Sequence, residues 1–119
     1  MAGKACAVHS GAALAAEVGQ IGAALGLSVR HQVALGKRIW GAKRIIDVVI
    51  TDPHTKECLG IECKYQGTAG SAEEKVLSTL EDMTKWPMQG VLVFSGVGFS
   101  GAMRSLLLTR GAVEFCDLE

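Results

Sequence analysis

RIIDVVITDPHTKECLGIECKYQ, residues 44–66, reads as two strands joined by a turn. The first, Arg44 to Thr51, is rich in Ile and Val and stops at Thr51-Asp52-Pro53-His54, where turn-forming residues predict a hairpin into a second strand, Glu57 to Tyr65. Residues two apart on a strand share a face, so Glu62, Lys64 and Gln66 point one way and Cys63 and Tyr65 the other. Asp47 sits on the partner strand, and the hairpin can bring its carboxylate beside that of Glu62. Two carboxylates at close range repel each other, and a divalent cation relieves the repulsion. Lys64 adds a positive charge next to the pair. Hard oxygen ligands with an adjacent ammonium are what a metal-dependent phosphodiesterase needs.

The flanking segments complete an alternating pattern. Ser10 to Leu25 carries Leu14, Val18, Ile21 and Leu25 at helical spacing with Gly26 as a stop, although Gly19 and Gly22 weaken the helix. Leu27 to Leu35 reads as a strand, broken at Gly36-Lys37-Arg38 and resumed at Ile39-Trp40. After the flexible connection Gly67-Thr68-Ala69-Gly70, Ser71-Ala72-Glu73-Glu74 has the form of a capping box. It opens a helix through about Lys85, with Val76, Leu77, Leu80 and Met83 as its apolar stripe and Pro87 beyond its end. Gly90 to Ser95 is a short apolar strand of the kind covered on both faces. A helix from Ser100 to Leu108 and an edge strand from Ala112 to Cys116 close the chain. The expected order is αβββαβαβ. A helix crossing between the third and fourth strands implies a parallel pair beside an antiparallel hairpin, hence an α/β fold with a mixed β-sheet flanked by helices.

At 119 residues, 49% apolar and 20% charged, the chain suits one compact domain over residues 1–119 with a real core and argues against disorder. The formal net charge is zero, but it is divided. Side chains from Met1 to Ile46 sum to +5, and those from Asp47 onward to −5. Basic residues between Arg30 and Arg44 can follow a phosphate backbone while the acidic half holds a cation, or they form a solvated hairpin. Cys6, Cys58, Cys63 and Cys116 show no CxxC pairing, and Cys58 and Cys63 fall on opposite faces of one strand, which argues against zinc and against a disulfide framework. No apolar run approaches a membrane span, so a soluble, cytoplasmic protein with no membrane partner is expected.

Asp47 followed by Glu62-x-Lys64, on elements in this order, resembles the signature of the PD-(D/E)XK nuclease superfamily over nearly the whole chain. The run Glu62-Cys63-Lys64-Tyr65-Gln66, then a Gly/Thr loop and Ala72-Glu73-Glu74-Lys75, is similar to restriction-type members. The chain departs from the literal Pro-Asp of the family name, since Ile46 precedes Asp47. The resemblance implies a restriction-endonuclease-like core and an endodeoxyribonuclease that uses Mg²⁺, with Mn²⁺ as a substitute. It implies Asp47 and Glu62 as metal ligands, the Cys63 backbone carbonyl completing the shell, and Lys64 as the catalytic cation. Glu17 and Gln66 are second-rank site residues, Glu17 because some members place a glutamate of the first helix near the metal. Glu74 either joins the site or closes the capping box. The expected partner is DNA, contacted by Lys37, Arg38, Lys43, Arg44 and Lys75, and the expected assembly is a homodimer or higher homo-oligomer. Two other readings stay open: a non-catalytic nucleic-acid-binding module with the same fold, and a structural subunit in which Glu62 and Lys64 form an ordinary ion pair.

Overall fold

In the computed structural model of the chain, residues 10–37, 43–67 and 72–115 are described. They form helix α1 (Gly11–Ala24), strands β1 (Ser28–Lys37), β2 (Lys43–Thr51) and β3 (Cys58–Tyr65), helix α2 (Ala72–Met83), strand β4 (Gln89–Ser95), helix α3 (Gly101–Thr109) and the two-residue strand β5 (Val113–Glu114). The strands lie in one sheet in the order β1-β2-β3-β4-β5. The first two pairings are antiparallel and the last two parallel, as the helical crossovers α2 and α3 require. This is the mixed α/β sheet and the element order expected from sequence. The resumed strand at Ile39-Trp40, the residues of the Gly67–Gly70 connection beyond Gly67, Ser71 of the capping box and Cys116 lie outside the described residues.

The β2–β3 hairpin turns where Asp52 and Pro53 predict. Asp52 Oδ1 accepts the His54 N–H at 2.8 Å and the Thr55 N–H at 3.3 Å, while the Asp52 N–H donates to the Glu57 carbonyl at 2.9 Å. Helix α1 begins where Ser10 Oγ accepts the Ala13 N–H at 3.0 Å. It ends in a Schellman motif: Gly26 takes a φ of 84°, and the Gly26 and Leu27 N–H groups reach the Ala23 and Gly22 carbonyls at 3.0 Å. The internal glycines that weaken α1 as a helix have a packing reason. A Cβ on Gly19 would lie 2.8 Å from the His31 imidazole and one on Gly22 would lie 3.1 Å from Ile50, so bare backbone lets α1 approach β1 and β2.

Two layers of core follow from the alternation of β3 and β4. Ile61, Cys63 and Val93 pack under Leu14, Ala15 and Val18 of α1. Leu92 and Phe94 face the other way, against Val76 and Leu80 of α2 and Met103 and Leu107 of α3. Beside this second core, Trp86 packs on Ile46 and Val49 of β2. Its ring lies where a Cβ on Gly60 or Gly90 would come within 2.9 Å and 2.8 Å, so those two glycines make its seat. The α2 pattern predicts a helix through Lys85. The helix ends at Met83 instead, and turns closed by the Thr84, Lys85 and Trp86 N–H groups carry the chain to Pro87.

Candidate active site

β2 and β3 pair from Thr51 opposite Cys58 as far as Val48 opposite Ile61, and there the ladder stops. At the next residues side chains take over from main chain. Asp47 Oδ2 accepts the Cys63 N–H at 2.9 Å, and Glu62 Oε1 accepts the Asp47 N–H at a long 3.4 Å. The strands part while their amide donors stay satisfied. The N–H and C=O of one strand residue point to the same edge, so the Cys63 carbonyl also faces the gap. A Cβ on Gly11, at the start of α1, would stand 4.0 Å from that oxygen.

The position of Asp47 depends on an irregularity that the sequence pattern hides. On β2, Val48 packs toward α1 with Ile50, whereas Ile46 and Val49 pack with Trp86 on the opposite face. Strict alternation would put Ile46 and Val48 together. On β1, Val29 packs toward α1, but Val33 and Leu35 pack toward Trp86. Both strands slip by one residue, β2 at Asp47 and β1 at Gln32, whose φ is 53°. The pairs His31–Val48 and Val33–Ile46 flank them, which sets Gln32 opposite Asp47. Gln32 Nε2 donates to Asp47 Oδ1 at 3.3 Å.

These groups border a cavity of about 310 Å³, closed on one side by Gly11, Ala12 and Ala15 of α1 and on the other by Gln32, Asp47, Glu62, Cys63 and Lys64. Glu62 is 6% exposed, and Lys64 Nζ lies 3.7 Å from its Oε2. The Cys63 thiol points into the α1 core and is pushed up to about 12, first by burial, then by the charges of Asp47 and Glu62, with Lys64 opposing. Packed in that core, it stays a neutral thiol at physiological pH. A larger, open groove of about 650 Å³ adjoins the cavity along α1, but among the described residues Ala and Gly dominate its walls and His31 is its one titratable lining group.

The donor set suits a hard cation. Among the described residues no group of three His, Cys, Asp or Glu side chains could hold a metal ion, and the two carboxylates that border the cavity are those of Asp47 and Glu62. Mg²⁺ is commonly held by one or two carboxylates and keeps several waters, and this set leaves room for them.

Of the other residues proposed from sequence, the described ones stand elsewhere. Glu17 is exposed on α1 and does not border the cavity. The helix turns about 100° per residue, which swings Glu17 about 200° away from Ala15. Gln66 is buried beyond β3: its Nε2 donates to the Gly98 carbonyl and its own carbonyl accepts the Gly98 N–H, both at 2.8 Å, which clamps the loop after β4. Arg44 forms a bidentate pair with Asp82 of α2, at 3.0 and 2.9 Å. Lys75 is exposed on α2. Arg38 and the side chains of Lys37, Lys43 and Glu74 lie outside the described residues. The site residue that pattern reading missed is Gln32. Its signal lay in the hairpin register opposite Asp47, which required the strand bounds of β1 to be known.

A family model for a PD-(D/E)XK nuclease superfamily domain matches residues 6–115. Among solved structures, the crystal structure of AF1548, a protein of unknown function, is similar with a TM-score of 0.57 at 18% identity. The match covers 85% of this chain, and the chain spans 55% of that one. At this identity the likeness is one of fold. No protein of curated function matches the chain.

Proposed function

The chain belongs to the PD-(D/E)XK nuclease superfamily, and on that premise we propose that it is a Mg²⁺-dependent endodeoxyribonuclease acting through a single catalytic domain. The observation that carries the reading is the junction where β2 leaves β3: Glu62 accepts the Asp47 N–H and Asp47 accepts the Cys63 N–H there, with Lys64 beside Glu62, and all four residues border one cavity. Asp47, Glu62 and the Cys63 carbonyl hold the cation. When bound, Mg²⁺ or Mn²⁺ neutralises charge on a phosphoryl oxygen and lowers the pKa of a coordinated water.

The chain's own groups do the rest. Hydrolysis forms a bond from a water oxygen to phosphorus and breaks one phosphorus–oxygen ester bond. The water gives up a proton, and the leaving alkoxide takes one up. Lys64 Nζ, anchored beside Glu62, stabilises charge that gathers on the phosphoryl oxygens. Lys37, Arg38, Lys43 and Lys75 follow the DNA backbone. A symmetric homodimer supplies the two sites that a double-strand break needs.

The test is incubation of the purified chain with supercoiled, linear, single-stranded and branched DNA in Mg²⁺, Mn²⁺ or EDTA, with Glu62→Ala in parallel. Cleavage of at least one form in Mg²⁺, absent in EDTA and in the variant, supports the reading. Full activity of Glu62→Ala, or cleavage indifferent to EDTA, sinks it.

A further inference from the structure

We propose that Gln32 is the positioning residue that sets the Asp47 carboxylate in the gap between β2 and β3. Among the described residues two non-glycine positions have a positive φ, Gln32 at 53° and Lys56 at 66°. Lys56 belongs to the β2–β3 turn, where such a conformation is usual. Gln32 lies in the middle of a ten-residue strand, where the left-handed region is unfavourable for a residue with a Cβ and persists when its surroundings impose it.

The consequence of that conformation is local and specific. In a regular strand Gln32 would face away from His31 and from α1. With the slip, Gln32 borders the same cavity as Asp47, Glu62 and Lys64. The Asp47 carboxylate is then held at both oxygens, Oδ2 by the Cys63 N–H at 2.9 Å and Oδ1 by the Gln32 amide at 3.3 Å. Rotation about the carboxyl bond would break one contact or the other. Each oxygen keeps a spare lone pair for a cation. The residue type fits the task, because a neutral amide donates to Asp47 without adding charge to a site that already holds two carboxylates and an ammonium. The effect on cation binding rests on the metal-dependent reading above; the orientation of Asp47 does not.

Two variants and three readouts test this. Gln32→Gly accepts the left-handed backbone and removes the amide. Gln32→Asn tolerates that backbone but is one methylene too short to reach Asp47. In metal-free protein, both should speed hydrogen exchange of the Cys63 amide about tenfold, as for one weakened hydrogen bond, and leave the Ile61 amide unchanged. The Gln32→Gly melting temperature should equal or exceed that of the parent. Mn²⁺ affinity should fall about 10- to 100-fold in both variants. Unchanged Cys63 exchange in both overturns the proposal, as does a general loss of protection with a lowered melting temperature, which would make Gln32 a merely structural residue. Faster Cys63 exchange in variants of a parent that binds no Mn²⁺ upholds the positioning role and defeats the metal-dependent reading instead.

Discussion

Arg44→Ala separates a structural cation from a DNA-binding one. The guanidinium donates from Nε and Nη2 to both oxygens of Asp82, and the two side chains are 12% and 14% exposed. Asp82 also accepts the Trp86 indole N–H at 3.1 Å, so the pair ties β2, α2 and the Trp86 core together. Removing one partner of a buried pair costs about 3–5 kcal/mol, whereas exposed pairs contribute about 0–1 kcal/mol. With slight exposure and the indole contact retained, the expected loss is about 2–3 kcal/mol, or roughly 10 °C in melting temperature for a chain of this size. Urea unfolding of Arg44→Ala, Asp82→Ala and the double variant should give a coupling energy of the same order. DNA affinity of folded Arg44→Ala should fall by no more than a single phosphate contact accounts for. Unchanged stability together with a large loss of DNA binding would refute the bracing role and return Arg44 to the DNA surface.

Other outcomes follow from single positions. Gly96 has a φ of 113°, and a Cβ there would lie 2.1 Å from the Gln66 carbonyl oxygen, so Gly96→Ala should cost about 3 kcal/mol or more in urea unfolding and release the loop that Gln66 clamps. The Cys63 thiol, raised from 9.0 to about 12 in the folded chain, keeps its proton where the unfolded thiol loses it. Its contribution to stability is therefore complete below pH 9 and declines as pH rises toward 12, and Cys63→Ala should flatten the alkaline limb of a stability–pH curve. Replacing Lys37, Arg38 and Lys43 by Ala should lower the salt slope of duplex binding by about 0.9 per lost phosphate contact while Mn²⁺ affinity holds; an unchanged slope would make the segment a solvated face.

The fold was legible because its signals are local. Turn chemistry at Asp52-Pro53, the start of α1 at Ser10 and its stop at Gly26 each act within a few residues, and the parallel step follows from the helix between β3 and β4. Glu62 and Lys64 sharing a strand face is equally local. The geometry at Asp47 was not, since period-two reading assumes an unbroken strand and both β1 and β2 slip one residue there. Asp82 as the partner of Arg44 lies 38 positions away in sequence and gives no periodic sign. Glu17 illustrates the converse: an acid on the right helix is exposed on a face that turns away from the cavity.

The most direct measurement of the central claim is calorimetric titration of Mn²⁺ into the parent chain and into Asp47→Ala and Glu62→Ala, with and without an uncleavable DNA duplex. The account predicts cation binding by the parent, tightened by the duplex, and its loss in both variants while circular dichroism stays native. At a hundred times the dissociation constant the bound cation should also stabilise the parent by about 2.7 kcal/mol. Parent-like Mn²⁺ affinity in folded Asp47→Ala and Glu62→Ala would contradict the assignment of these carboxylates as the metal site.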